Sequence, residues 1–242
     1  MQFLPGCTLD EIILGAEPPA LDTAFSIFEQ TLIEIWRASI MPGPAPTDYV
    51  QQTRKRIPAV LQVHPDFVRP QRHVSGASVL STEELLAACE AAEQELPAPY
   101  TVFIHGDFNA NNVVYDQRTE RIHFIDLHRS MRADFVQDIS VFLISNFRLP
   151  VFDAALRARL DRTIRTFLGF AREFAGEQND ATFEARLALA LARSLYTSTR
   201  FELHPAFAKE MFLRSHFLLE QVARHRGKPW EAFRLPETVL YA

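Results

Sequence analysis

Residues 105–112 read His105-Gly106-Asp107-Phe108-Asn109-Ala110-Asn111-Asn112, and fourteen residues after Asn112 comes the pair Ile125-Asp126. The octapeptide directly follows Thr101-Val102-Phe103-Ile104, a β-prone run. Two more such runs, Val113-Val114-Tyr115 and Ile122-His123-Phe124-Ile125, flank the polar turn from Asp116 to Arg121. The pattern predicts a strand, a loop and a β-hairpin, with Asp126 at the end of the hairpin's second strand. Two carboxylates, Asp107 and Asp126, and the amide of Asn112 therefore come within reach of one site. Taken singly, a Gly-Asp turn and an Asp after a strand are commonplace loop chemistry. Their order and spacing together are what carry information.

Outward from this centre the chain is helical on both sides. Leu21 to Ala38 carries Phe25, Phe28, Leu32, Ile35 and Trp36 at helical spacing, and the run Met41-Pro42-Gly43-Pro44-Ala45-Pro46 stops that helix. Thr47 or Asp48 is placed to cap the next helix, which runs to about Leu61. After a polar segment around Pro70 to Ser78, Ser81-Thr82-Glu83-Glu84 opens a helix to about Leu96, before Pro97 and Pro99. From Phe135 onward Leu156, Leu160, Ile164, Phe167 and Phe174 form one apolar stripe, and helices follow near Thr182 to Leu203 and Pro205 to Arg226. Arg157, Arg159, Arg162, Arg165 and Arg172, interspersed with Asp161 and Glu173, read as a solvated helix face. The fold class expected is α+β, mostly α.

With 242 residues and 48% hydrophobic content, the chain buries a core as one large domain or two small ones. A net charge of -5 leaves no basic excess for nucleic acid or an anionic membrane surface, so neither is an expected partner. Cys7 and Cys89, far apart in sequence, point to a reduced, cytoplasmic setting. No stretch approaches the ~20 apolar residues that span a bilayer.

Phosphoryl transfer asks little covalent help of a protein. It needs a carboxylate to position the acceptor hydroxyl, and hard oxygen ligands to hold magnesium against phosphates. The Asp107, Asn112 and Asp126 spacing resembles the catalytic loop of kinase-like phosphotransferases, and His105-Gly106-Asp107 resembles the variant found in the aminoglycoside phosphotransferase and choline kinase group. That resemblance implies a small-molecule kinase using ATP or a related nucleotide with Mg2+, acting on a small-molecule hydroxyl. It casts Asp107 as the catalytic residue that orients the acceptor, and Asn112 and Asp126 as magnesium ligands. Val114 and Ile125 match positions that form an apolar floor beneath adenine. Asp138 matches a downstream Asp that braces the loop backbone, and His105 reads as structural support, since no second His or Cys lies at ligand spacing.

Two features depart from the family pattern. Asp126 is followed by Leu127-His128-Arg129 instead of an aromatic residue and an acidic residue or glycine. No glycine-rich phosphate loop or strand-borne lysine segment precedes the motif at the usual distance. Phe3-Leu4-Pro5-Gly6-Cys7-Thr8-Leu9 resembles the family's inter-lobe linker. The resulting expectation is a hinge remnant over 1–9, a kinase-like C-terminal catalytic lobe over 10–242, and an absent N-terminal β-lobe. The alternative is a non-catalytic or truncated kinase-like module that binds a ligand or partner. A protein kinase fits less well, because His-Arg-Asp and Asp-Phe-Gly are both replaced.

Overall fold

The computed structural model describes residues 5–74, 77–151 and 153–241. Phe3 and Leu4 of the linker-like opening lie outside them. The described chain is mostly helical with small antiparallel sheets. Its helices are α1 (Leu9–Gly15), α2 (Pro18–Ser39), α3 (Tyr49–Val63), α4 (Thr82–Glu93), α5 (Val136–Phe147), α6 (Ala154–Glu177), α7 (Phe183–Ser198) and α8 (Pro205–His225). Its strands are β1 (Cys7–Thr8), β2 (Met41–Ala45), β3 (Arg72–Val74), β4 (Ala77–Val79), β5 (Ala98–Ile104), β6 (Val113–Asp116), β7 (Arg121–Phe124) and β8 (Met131–Ala133). They fall into two compact units, one of Met1–Gly43, Pro99–Asp180 and Leu240–Ala242, the other of Pro44–Ala98 and Ala181–Val239.

The first unit is built on aromatic side chains. Prolines in its first turn preset the backbone of α2, and the apolar stripe of that helix buries Phe25, Phe28, Leu32 and Trp36. Phe28 stacks on Phe108, Phe142 and Phe167 at ring separations of 5.8, 5.4 and 5.6 Å. Trp36 meets Phe135 at 5.2 Å and Phe174 at 5.0 Å. Such ring pairs add stabilisation beyond the area they bury. They draw α2, α5, α6 and the loop after β5 into one core.

Strands β6 and β7 form the expected hairpin, with Val113 opposite Phe124, Val114 opposite His123 and Asp116 opposite Arg121. The opening strand β1 adds to its other edge, Thr8 opposite Val114. Gly6 makes that approach possible: at φ +124° a Cβ would lie 2.3 Å from the Tyr115 carbonyl oxygen. Strand β5 pairs antiparallel with β8, and β2 lies on its other side. The proline-rich segment expected only to stop α2 is thus also a strand. Proline tolerates a sheet edge, where its missing N–H leaves no ladder bond unmade.

The arginines of α6 are less solvated than their spacing suggests. Arg157 donates to the carbonyls of Phe147, Leu149 and Val151 at 2.9, 2.7 and 2.8 Å. Arg159 donates to the carbonyls of Ile12, at 3.1 Å, and Ala16. Both donate to backbone carbonyls at or just beyond the C-terminal ends of α5 and α1.

In the second unit α7 packs on α8 and α3, and α4 packs on α8. Val60, Phe67, Tyr196, Ala208 and Phe212 form one buried cluster. The capping box is present: Ser81 N donates to Glu84 Oε2 at 2.8 Å while Ser81 Oγ accepts from Glu84 N at 3.2 Å. The α4 helix ends at Glu93, three residues before the expected Leu96. Asp48 occupies the N-cap of α3 without a side-chain capping bond. Instead Glu93 accepts from the backbone N–H groups of Tyr49 at 2.6 Å and Val50 at 3.2 Å, so a residue of α4 caps α3. The segment read as merely polar contains the β3–β4 pair, with Arg72 opposite Val79. Among the described residues no helix is long and apolar enough to cross a membrane, and Cys7 and Cys89 are free thiols.

Candidate functional site

The site lies within the first unit, on the loop that leaves β5, the β6–β7 hairpin and the turn before β8. The loop is held at both ends. Phe108 is 1% exposed and stacks into the aromatic core against Phe28, Phe124 and Phe142. Beneath the loop, Asp138 in the first turn of α5 accepts from the backbone N–H of His105 at 2.6 Å and of Gly106 at 2.9 Å. The helix N-terminus favours a negative charge at that position, and the buried carboxylate in turn satisfies two loop donors.

His105 closes the loop from within. Its Nε2–H donates to the Ile125 carbonyl at 2.9 Å and its Nδ1 accepts from Asp107 N at 3.3 Å. Those contacts fix the neutral tautomer. Burial pushes the imidazole pKa down, against the raising effects of the Ile125 hydrogen bond and of Asp107 and Asp126. With neither ring nitrogen left to ligate a metal, His105 is a spacer between the loop and β7.

Asp107 and Asn112 are brought into direct contact. The amide Nδ2 of Asn112 donates to the Asp107 carbonyl at 2.8 Å, which turns its Oδ1 the other way. The backbone then joins this turn to the hairpin, because Ile125 N donates to the Asn112 carbonyl at 3.0 Å. Asp126 is the next residue and takes the left-handed conformation, φ 61° and ψ 45°, which Asp tolerates better than most side chains. This kink ends β7 and swings the chain into the 3-10 turn Leu127–Arg129. Val114 and Ile125 share one face of the hairpin with His123, as the alternation along β6 and β7 requires.

Three further residues complete the cluster. Asn109 Nδ2 donates to Asp107 Oδ1 at 2.8 Å, and Arg129 Nη1 lies 3.3 Å from Asp107 Oδ2. His128 Nδ1 donates to Asp126 Oδ1 at 2.7 Å, and Arg129 Nε donates to His128 Nε2 at 3.2 Å. The roles of His128 and Arg129 were open in the sequence; the two residues link Asp107 to Asp126. The sequence reading gave Asn109 no role; its proximity to Asp107 is local, two residues along the loop.

Gly106 is the pivot of this arrangement. Its φ is +83°, and a Cβ would stand 2.3 Å from the Arg129 carbonyl oxygen and 2.9 Å from the Arg129 Cβ. Only glycine lets the turn close this tightly on the loop. Ser130 Oγ adds a hydrogen bond to the His105 carbonyl at 3.2 Å.

Among the described residues, no group of three or more His, Cys, Asp and Glu could by itself hold a metal ion. The site offers hard oxygens on Asp126 and Asn112. Magnesium fits such a sparse oxygen set, since it keeps waters and completes its shell with phosphate oxygens.

Polar residues also lie near the α7–α8 connection. Tyr196 is buried and donates to the Phe67 carbonyl at 2.8 Å, Arg200 lies over the Phe201 ring at 4.1 Å, and Glu202 and His204 cap the start of α8.

The pattern of the phosphotransferase enzyme family APH matches residues 43–176, more than half of the chain, and includes the loop, the hairpin and α5. The chain belongs to that family. A search of curated proteins finds no match. Among solved structures, an ethanolamine kinase from Plasmodium vivax is similar at 12% identity and a TM-score of 0.43, over 92% of this chain and 64% of that one. The family member described here therefore spans less than two thirds of that relative's length.

Proposed function

We propose that this chain is a small-molecule phosphotransferase that moves the terminal phosphoryl group of ATP, or a related nucleotide, to a hydroxyl of a small acceptor. The observation that carries this reading is the network that joins Asn112 directly to Asp107, and Asp126 to Asp107 through His128 and Arg129, on a braced loop and hairpin. Membership of the phosphotransferase family supports it.

In this reading the acceptor hydroxyl hydrogen-bonds to the Asp107 carboxylate. Its oxygen forms the new bond to phosphorus as the bond from phosphorus to the bridging oxygen breaks. The bridging oxygen keeps that electron pair and leaves as the nucleoside diphosphate, while the hydroxyl proton passes to Asp107. Asn112 Oδ1 and Asp126 would hold magnesium, which supplies charge neutralisation on the phosphates. Val114 and Ile125 offer apolar contact to the base, and His105 and Asp138 keep the loop in place.

The specific observation favouring the alternative, a ligand- or partner-binding module, is that both carboxylate oxygens of Asp107 are already engaged, by Asn109 and Arg129. Calorimetry with ATP, with and without magnesium, separates the two when joined to a nucleotide-consumption screen over aminoglycosides, amino alcohols, sugars and nucleosides. Magnesium-dependent binding and acceptor-stimulated consumption that Asp107→Asn abolishes are expected. Magnesium-independent binding, with no consumption above that of Asp107→Asn, would favour the binding module.

A further inference from the structure

Resting on that reading of the site, we propose that Arg129 is a phosphate-binding residue, its guanidinium passing from Asp107 to the terminal phosphate of the nucleotide when the nucleotide binds. The guanidinium is linked to both carboxylates at once. One arm, Nη1, lies 3.3 Å from Asp107 Oδ2, while Nε reaches His128, whose other nitrogen donates to Asp126 Oδ1. In that reading a phosphoryl group in transit lies between the acceptor oxygen at Asp107 and the departing bridging oxygen of the nucleotide. The positive charge of Arg129 stands beside that path.

The backbone of Arg129 is packed into the turn, while its side chain reaches out to solvent. Its carbonyl and Cβ pack against Gly106, where no side chain could fit, and Ser130 ties the same turn to His105. Beyond the backbone, the side chain is 53% exposed. Its contact to Asp107 is single-armed and longer than the roughly 2.7–2.9 Å of a strong charge-assisted bond. A solvent-screened pair of this kind holds weakly. A terminal phosphate offers more charge and several oxygens at the spacing of the guanidinium fork, so it competes well for the same group. Release of Arg129 also frees Asp107 Oδ2 to accept from the acceptor hydroxyl. One movement thereby neutralises the donor and unmasks the carboxylate.

A residue that only orients Asp107 would be indifferent to how many phosphates the nucleotide carries, whereas a terminal-phosphate ligand must distinguish ATP from ADP. The test is calorimetric affinity of wild type, Arg129→Ala and Arg129→Lys for ATP and for ADP, all with magnesium. Arg129→Ala should lose about tenfold or more in ATP affinity while ADP affinity stays within about twofold, as expected from removing charge-assisted bonds made to one phosphate only. Arg129→Lys, which keeps the charge but not the fork, should fall between, and it decides the question should Arg129→Ala fail to fold. An unchanged ATP-to-ADP affinity ratio, or equal losses for both nucleotides, would overturn the assignment while leaving the phosphotransferase reading intact. A wild type that binds neither nucleotide would bring down that reading, and this inference with it.

Discussion

Asp138 holds Gly106 from below: its Oδ1 accepts the Gly106 amide at 2.9 Å while its Oδ2 accepts the neighbouring His105 amide at 2.6 Å. A carboxylate that is 1% exposed thus fixes the two residues that lead into Asp107. Replacing it with Ala leaves two buried donors unpaired, at about 1–3 kcal/mol each. Asp138→Ala is expected to lower the melting temperature by several degrees and to reduce turnover without changing acceptor preference. Thermal melting alongside acceptor competition checks this; an unchanged melting temperature would remove the bracing role.

Gly106→Ala should affect activity more than stability. The positive φ alone costs roughly 1–2 kcal/mol for a residue with a Cβ, and relief of the clash with the Arg129 carbonyl must displace the Leu127–Arg129 turn. That turn carries both residues that link Asp107 to Asp126, so a small shift misaligns the cluster. A folded variant with turnover near wild type would show that the tight approach is dispensable.

How much of this was legible beforehand depends on sequence distance. The β6–β7 hairpin follows from local alternation and a polar turn, and the α4 cap from Ser81 and Glu84, three residues apart. The loop His105–Asn112 stood out because its polar residues are compressed into eight positions. What the sequence hid are contacts whose partners are remote. Nothing near Tyr49 announces that Glu93 caps α3, and nothing in the Arg157 and Arg159 spacing shows that both arginines end helices elsewhere. The Asp107–Arg129 pair was hidden likewise, since it depends on a left-handed Asp126 and a side-chain-free Gly106 that fold the turn back.

His216 predicts a pH dependence of stability in the second unit. Its Nδ1–H donates to the Phe212 carbonyl at 3.0 Å, and its Nε2 accepts from Thr82, whose oxygen accepts from Arg69 N. Burial pushes its pKa down from 6.5 to about 4. The folded state stays neutral where the unfolded chain takes up a proton, so the stabilisation is fully present above pH 6.5 and is lost as pH falls toward about 4. The loss should be on the order of 2–3 kcal/mol. Denaturant titrations of wild type and His216→Gln between pH 7 and pH 4 would read it as the difference in slope, and parallel curves would refute it.

Asp107→Asn and Asp126→Asn should fail in different ways, although one network joins the two side chains. Asp107 is assigned to the acceptor hydroxyl, so its amide variant loses the group that takes the proton while keeping every group assigned to the phosphates, and it weakens the pair that competes for Arg129. Turnover should drop by about 100-fold or more with no loss of nucleotide affinity, the range typical of a removed general base. Asp126 is assigned to the cation. Its amide variant removes a negative charge from the coordination shell, so more magnesium should be needed to reach half-maximal nucleotide binding. His128 sharpens the contrast, because its Nδ1–H, which donates to Asp126 Oδ1, can still donate to the side-chain amide oxygen that Asp126→Asn leaves in the same place. The turn is then held and the change stays electrostatic. Magnesium titrations of nucleotide binding, run beside turnover for both variants, separate the roles. An unchanged magnesium midpoint in Asp126→Asn would place the cation elsewhere, and near-normal turnover in Asp107→Asn would remove that residue from the acceptor side.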